Sequence, residues 1–66
     1  MNSQLLTPRQ RQCLALARNG KTSMQIAGEL EISRRTVDQY IAEACKRLGA
    51  RNRAQAVAEA VLRGEI

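Results

Sequence analysis

Histidine is absent from this chain, and cysteine occurs only twice, as Cys13 and Cys45, with no Cys-x-x-Cys pair. The usual zinc ligand sets cannot be assembled from such a sequence, so no metal or other cofactor is expected. Histidine is also the commonest general acid and base, and neither a carboxylate cluster nor a Ser-His-Asp set takes its place. The sequence therefore gives no support to an enzyme. Two widely separated thiols lack the even, dense spacing of a disulfide framework and read as reduced side chains. Long apolar runs are missing too: nowhere do about 18 apolar residues follow one another, and Met1-Asn2-Ser3-Gln4 is not a basic region ahead of an apolar run. A soluble, intracellular protein with no membrane span and no signal peptide is expected.

What the chain has is a basic balance. Its 66 residues carry 11 Lys+Arg against 6 Asp+Glu, a formal charge of +5, and the sequence pI is near 10.3. An excess of this size suits a polyanionic partner, because each cation that neutralises a phosphate releases condensed counterions. The length allows a single domain, 1–66, and domains this small bury only about 60% of their unfolded surface. Such a core has no room for a pocket of ligand size, so no small-molecule ligand is expected.

The only proline, Pro8, follows Thr7, the arrangement of an N-cap and first helical residue, and Thr7-x-x-Gln10 completes a capping box. Thr22-x-x-Gln25 repeats the box, Ser33 caps a third segment and Asn52-x-x-Gln55 a fourth. Asn19-Gly20, Gly49 and Gly64 supply the stops. These signals predict helices over about 8–19, 23–30, 34–48 and 53–63, with no period-2 segment, linker or repeat. An all-α, four-helix domain follows. The expected inward residues are Cys13, Leu14 and Ala17; Ile26, Ala27 and Leu30; Val37, Ile41, Ala44 and Leu48; and Ala54, Val57, Ala58 and Val61. Gly28, inside the second helix, costs about 1 kcal/mol relative to alanine, unless it permits close packing or approach to a phosphate.

The second helix, a three-residue break and the third helix have the spacing of a helix-turn-helix, with Ala27 where the two helices come closest. The turn position that is often glycine is Glu31. Projected at about 100° per residue, Arg35, Asp38, Gln39, Ala42 and Lys46 share one face of the third helix, opposite Val37, Ile41, Ala44 and Leu48. From Arg34 to Arg53 six positive residues face two negative ones, a net +4 on and beside this presented helix.

The chain resembles the LuxR/GerE-type helix-turn-helix family from Leu6 to about Leu62. Leu6-Thr7-Pro8-Arg9, Gly20, Ile26-Ala27, Leu30, Ile32-Ser33, Thr36-Val37, Lys46-Arg47-Leu48-Gly49 and Arg53-Ala54 carry the resemblance. It implies a regulator that places its third helix in the major groove of double-stranded DNA, usually as a dimer. Its base-reading positions fall on Asp38, Gln39 and Ala42, and its phosphate contacts on Thr22, Ser23, Ser33, Arg35, Thr36 and Lys46. Arg35 shares the reading face and is grouped with the base readers; Arg34 and Arg51 join the phosphate set. Asp38 stands where many members have lysine, and Tyr40 where many have histidine. Asp38 can still accept from cytosine N4, and Gln39 suits adenine.

The fourth helix is apolar beyond one face, with Ala56, Ala60 and Leu62 lying away from its expected core side. This suggests a homodimer through that helix, with Ala56, Ala60 and Arg63 at the interface. Two functions are open. The first is a cytoplasmic, nucleoid-associated transcription regulator that recruits or blocks RNA polymerase. The second is an interaction module that pairs with full-length regulators or RNA polymerase and modulates them. The upstream control domain usual in the family is not expected within these 66 residues, which fits either a short standalone regulator, as Met1 suggests, or an excised effector domain.

Overall fold

The computed structural model describes residues 4–66; Met1, Asn2 and Ser3, which belong to the N-terminal segment that lacks a signal-peptide pattern, lie outside the described residues. Four helices make up the fold: α1 Pro8–Arg18, α2 Ser23–Leu30, α3 Arg34–Leu48 and α4 Arg53–Leu62. Each starts where a short polar side chain on extended backbone accepts from the third helical amide: Thr7 from Gln10, Thr22 from Gln25, Ser33 from Thr36 and Asn52 from Gln55. At Thr7 and Thr22 the glutamine reaches back to the cap amide, at 3.0 and 2.9 Å. At α4 it does not: Gln55 accepts from Arg51 N instead, at 2.6 Å. The α1 and α4 ends fall one residue short of the expected ones, because Asn19 and Arg63 are caps, followed by Gly20 and Gly64 at φ 87° and 70°.

α3 is the central element, packing against α1, α2 and α4, while α1 also packs on α2 and α4. The interior has two parts. Cys13, Ile26, Ala27, Val37 and Ile41 fill the angle between α1, α2 and α3. Leu6, Leu14, Ala44, Leu48, Ala56 and Ala60 fill that between α1, α3 and α4, and half-buried Cys45 touches both groups. Burial of Cys13 pushes its thiol pKa up, against the opposing pull of the Arg9 and Arg53 charges, so it packs as a neutral apolar group.

The fourth helix sits in a different rotational setting from the one expected. Ala56 and Ala60 are fully buried and Val57 is half-buried, whereas Ala54, Ala58 and Val61 face solvent. Ala56 and Ala60 are therefore core residues and cannot form a dimer surface. The physical reason is size: methyl groups on this face let α4 approach Leu14 and Leu48 closely, where a valine would hold it away. Ala17 and Leu30, also expected inside, are half-buried.

The segment before α1 is clasped to the segment after α4 and to α3. The Glu65 carboxylate accepts from the amides of Leu5 and Leu6 at 2.8 and 3.4 Å. Arg47 donates to the Leu5 carbonyl at 2.8 Å. Leu6 is thereby held in the core.

Glu31 occupies the left-handed region at φ 57°, the one non-glycine residue to do so among those described, at a cost of about 1 kcal/mol. Gly28 has the opposite mismatch: it is exposed, and a Cβ there would meet nothing within 4 Å. Close packing is thus not its reason. Gly28→Ala and Glu31→Gly are each expected to raise stability by about 0.5–1 kcal/mol, measurable as an upward shift of the thermal midpoint. A fall in either variant would show that the residue serves something other than local conformation.

Candidate nucleic-acid interface

Because Val37, Ile41, Ala44 and Leu48 turn one side of α3 into the core, the opposite side is held outward along the full length of the helix. Arg35, Gln39, Ala42 and Lys46 are all exposed there. Among the described residues none of Arg35, Gln39 and Lys46 makes a side-chain hydrogen bond or ion pair, so their donors and acceptors are free for a ligand. Ala42 leaves a shallow spot between them, through which a base edge or thymine methyl could come near the helix backbone.

Asp38 is placed differently. It is exposed on the flank of α3 next to α2, where its carboxylate accepts from Ser23 Oγ at 2.8 Å and lies 3.9 Å from Arg34 Nε. Of the four residues expected to read bases, three stand free and Asp38 is engaged within the chain.

The expected phosphate contacts surround this face. Thr22 and Ser33 accept helix amides as caps. Capping uses the oxygen and leaves the Thr22 hydroxyl hydrogen able to donate. The Ser33 and Thr36 hydroxyls bond to each other at 2.8 Å, so one of their two hydrogens stays free. Arg34, Lys46 and Arg51 are exposed. Lys21, Thr22, Ser23, Met24, Arg34 and Arg53 line an open groove of about 530 Å³ at the N-terminus of α2, where the helix dipole adds to the positive charge.

Lys21, Met24 and Arg53 are the groove residues absent from the expected contacts, and two of them are cations. Arg53 bridges two helices that do not pack on each other, donating from Nη1 to Ser23 Oγ at 2.9 Å and from Nη2 to the Lys21 carbonyl at 2.6 Å. A signal was present: arginine at the first position of a helix opposes the dipole, which points to a side chain employed elsewhere.

A basic helix-turn-helix with one face of its second helix unoccupied limits the choice of family, and comparison decides it. The model of the bacterial regulatory proteins of the luxR family matches residues 4–60. The chain belongs to the luxR family. This LuxR-family domain is 44% identical over 62 residues to the spore germination protein GerE of Bacillus subtilis, covering 94% of this chain and 84% of that protein. It is 48% identical over 62 residues to the transcriptional activator protein VanR of Vibrio anguillarum, again 94% of this chain but only 26% of VanR. With the transcriptional activator protein LuxR of Aliivibrio fischeri the identity is 41% over 61 residues, 92% of this chain and 24% of that protein. The chain thus spans about a quarter of the two activators and most of GerE. The solved structure of the transcription factor GerE superposes with a TM-score of 0.90 at 33% identity, covering 96% of this chain and 94% of that one. The four-helix LuxR-type fold is thereby established, and with it a DNA-binding, transcription-regulating class of domain.

Proposed function

We propose that this domain binds duplex DNA in a sequence-dependent manner, with α3 in the major groove, and regulates transcription by recruiting or blocking RNA polymerase. The observation that supports it most is the outer face of α3, where Arg35, Gln39, Ala42 and Lys46 are exposed within the segment from Arg34 to Arg53, of charge +4. Gln39 would read adenine through a bidentate pair, Arg35 and Ala42 would contact neighbouring bases, and Lys46, Thr22, Ser33, Thr36, Arg34 and Arg51 would hold the strands.

The domain works as a homodimer in this proposal, through the outer face of α4 rather than its buried alanines. Ala54, Ala58, Val61 and Leu62 lie at helical spacing on one exposed stripe, Val61 being 46% and Leu62 80% exposed. A second copy is the occupant this surface suits: two small alanines allow close approach of a symmetric helix, and the contact would fix the half-site spacing. Arg63, the C-cap of α4, is exposed and hydrogen-bonded to Glu59 at 3.3 Å.

Fluorescence-anisotropy titration of a mixed-sequence duplex, repeated at several salt concentrations, tests the function. The expected result is saturable binding whose log K falls linearly with log salt, by about 0.9 per phosphate contacted. Absence of binding at low salt would refute it.

A further inference from the structure

Ser23 is committed in both directions. Its oxygen accepts from Arg53 Nη1 at 2.9 Å, and its single hydrogen is donated to Asp38 Oδ1 at 2.8 Å. Arg53 is itself anchored on the Lys21 carbonyl, and because a guanidinium can only donate, the relay runs from guanidinium to hydroxyl and from hydroxyl to carboxylate. The second Asp38 oxygen faces Arg34 at 3.9 Å. One carboxylate thus takes up the hydroxyl and offsets the guanidinium that would otherwise meet an incoming phosphate in the groove lined by Lys21, Ser23, Arg34 and Arg53.

We infer that Asp38 is a specificity-determining residue acting as an internal anion: it occupies the Ser23 hydroxyl and offsets the charge of Arg34, and so weakens sequence-independent binding. This rests on the duplex-binding proposal above. Its chemistry is competitive. A phosphate that enters the groove must displace the carboxylate or approach a site whose positive charge is already reduced by one. Fewer counterions are then released on any sequence, and a larger share of the affinity comes from base contacts on α3. Discrimination between sequences rises although total affinity falls.

Asp38→Ala and Asp38→Asn separate charge from shape, since asparagine can still accept from Ser23. On a mixed-sequence duplex both variants are expected to bind several-fold more tightly than the unaltered protein at low salt, with a salt slope steeper by about one. Against a duplex selected from a random pool, the preference for the selected sequence shrinks. In an Arg34→Ala background the same changes steepen the slope by less, because only the groove around Ser23, Lys21 and Arg53 then gains from the loss of the carboxylate. Helical circular dichroism equal to that of the unaltered protein confirms that folding is not the cause. Unchanged affinity and slope on the mixed duplex would overturn the inference alone. So would a loss confined to the selected sequence, which would make Asp38 a direct base reader. An unaltered protein that binds no duplex would overturn both this inference and the function it rests on.

Discussion

Ala60→Leu is expected to destabilise the domain by about 1–3 kcal/mol, while Leu62→Glu, two residues away, leaves it folded and abolishes self-association. Ala60 is fully buried against the α1–α3 side of the core. Three added carbons have nowhere to go unless α4 moves off Leu14 and Leu48. In a domain of this size, where a core rarely supplies more than about 3–5 kcal/mol, that is a large share of the total, and the thermal midpoint should drop by several degrees per kcal/mol. Leu62 is 80% exposed, so a carboxylate there meets water in the monomer and an apolar partner surface in the dimer. Sedimentation with and without duplex reads the second effect, and thermal circular dichroism reads the first. A Leu62→Glu protein that associates as well as the original would remove α4 from the dimer. A fully stable Ala60→Leu would contradict the packing described here.

Gln39→Ala and Lys46→Ala should fail in different ways. Both side chains are exposed on the same face of α3, but an amide can form paired hydrogen bonds with adenine whereas an ammonium is a point charge suited to phosphate. Losing Gln39 is expected to remove about 1–3 kcal/mol of discrimination at one base pair while changing mixed-sequence binding little. Losing Lys46 is expected to weaken every duplex alike and to flatten the salt slope by about 0.9. Titrating both variants against a selected duplex and its single-base substitutions distinguishes the two. Equal losses on all sequences for both variants would mean that α3 holds the backbone without reading bases.

The parts of the fold legible in the sequence were those encoded over three or four residues. Thr7, Thr22, Ser33 and Asn52 marked the helix starts because a cap acts on the amide three residues ahead. The orientation of α3 was equally plain, since Val37, Ile41, Ala44 and Leu48 stand against charged neighbours over fifteen residues. α4 offered no such contrast. Alanine or valine occupies Ala54, Ala56, Val57, Ala58, Ala60 and Val61, so hydrophobicity is spread around the helix. The expected inward set of Ala54, Val57, Ala58 and Val61 was therefore rotated from the observed one, in which close helix approach places Ala56 and Ala60 inside. The Arg53–Ser23–Asp38 relay was hidden for another reason: its members lie 30 and 15 residues apart, and only the folded chain brings the ends of α2 and α4 to the flank of α3.

The central claim is that the solvent-facing side of α3 enters a duplex. Amide chemical-shift mapping of the labelled domain during titration with duplex DNA tests it most directly. The largest changes are predicted along Arg35, Gln39, Ala42 and Lys46 and at the N-terminus of α2 near Thr22, with the amides of the buried Leu14 and Leu48 little affected. Changes confined to the outer stripe of α4, with α3 unmoved, would contradict it.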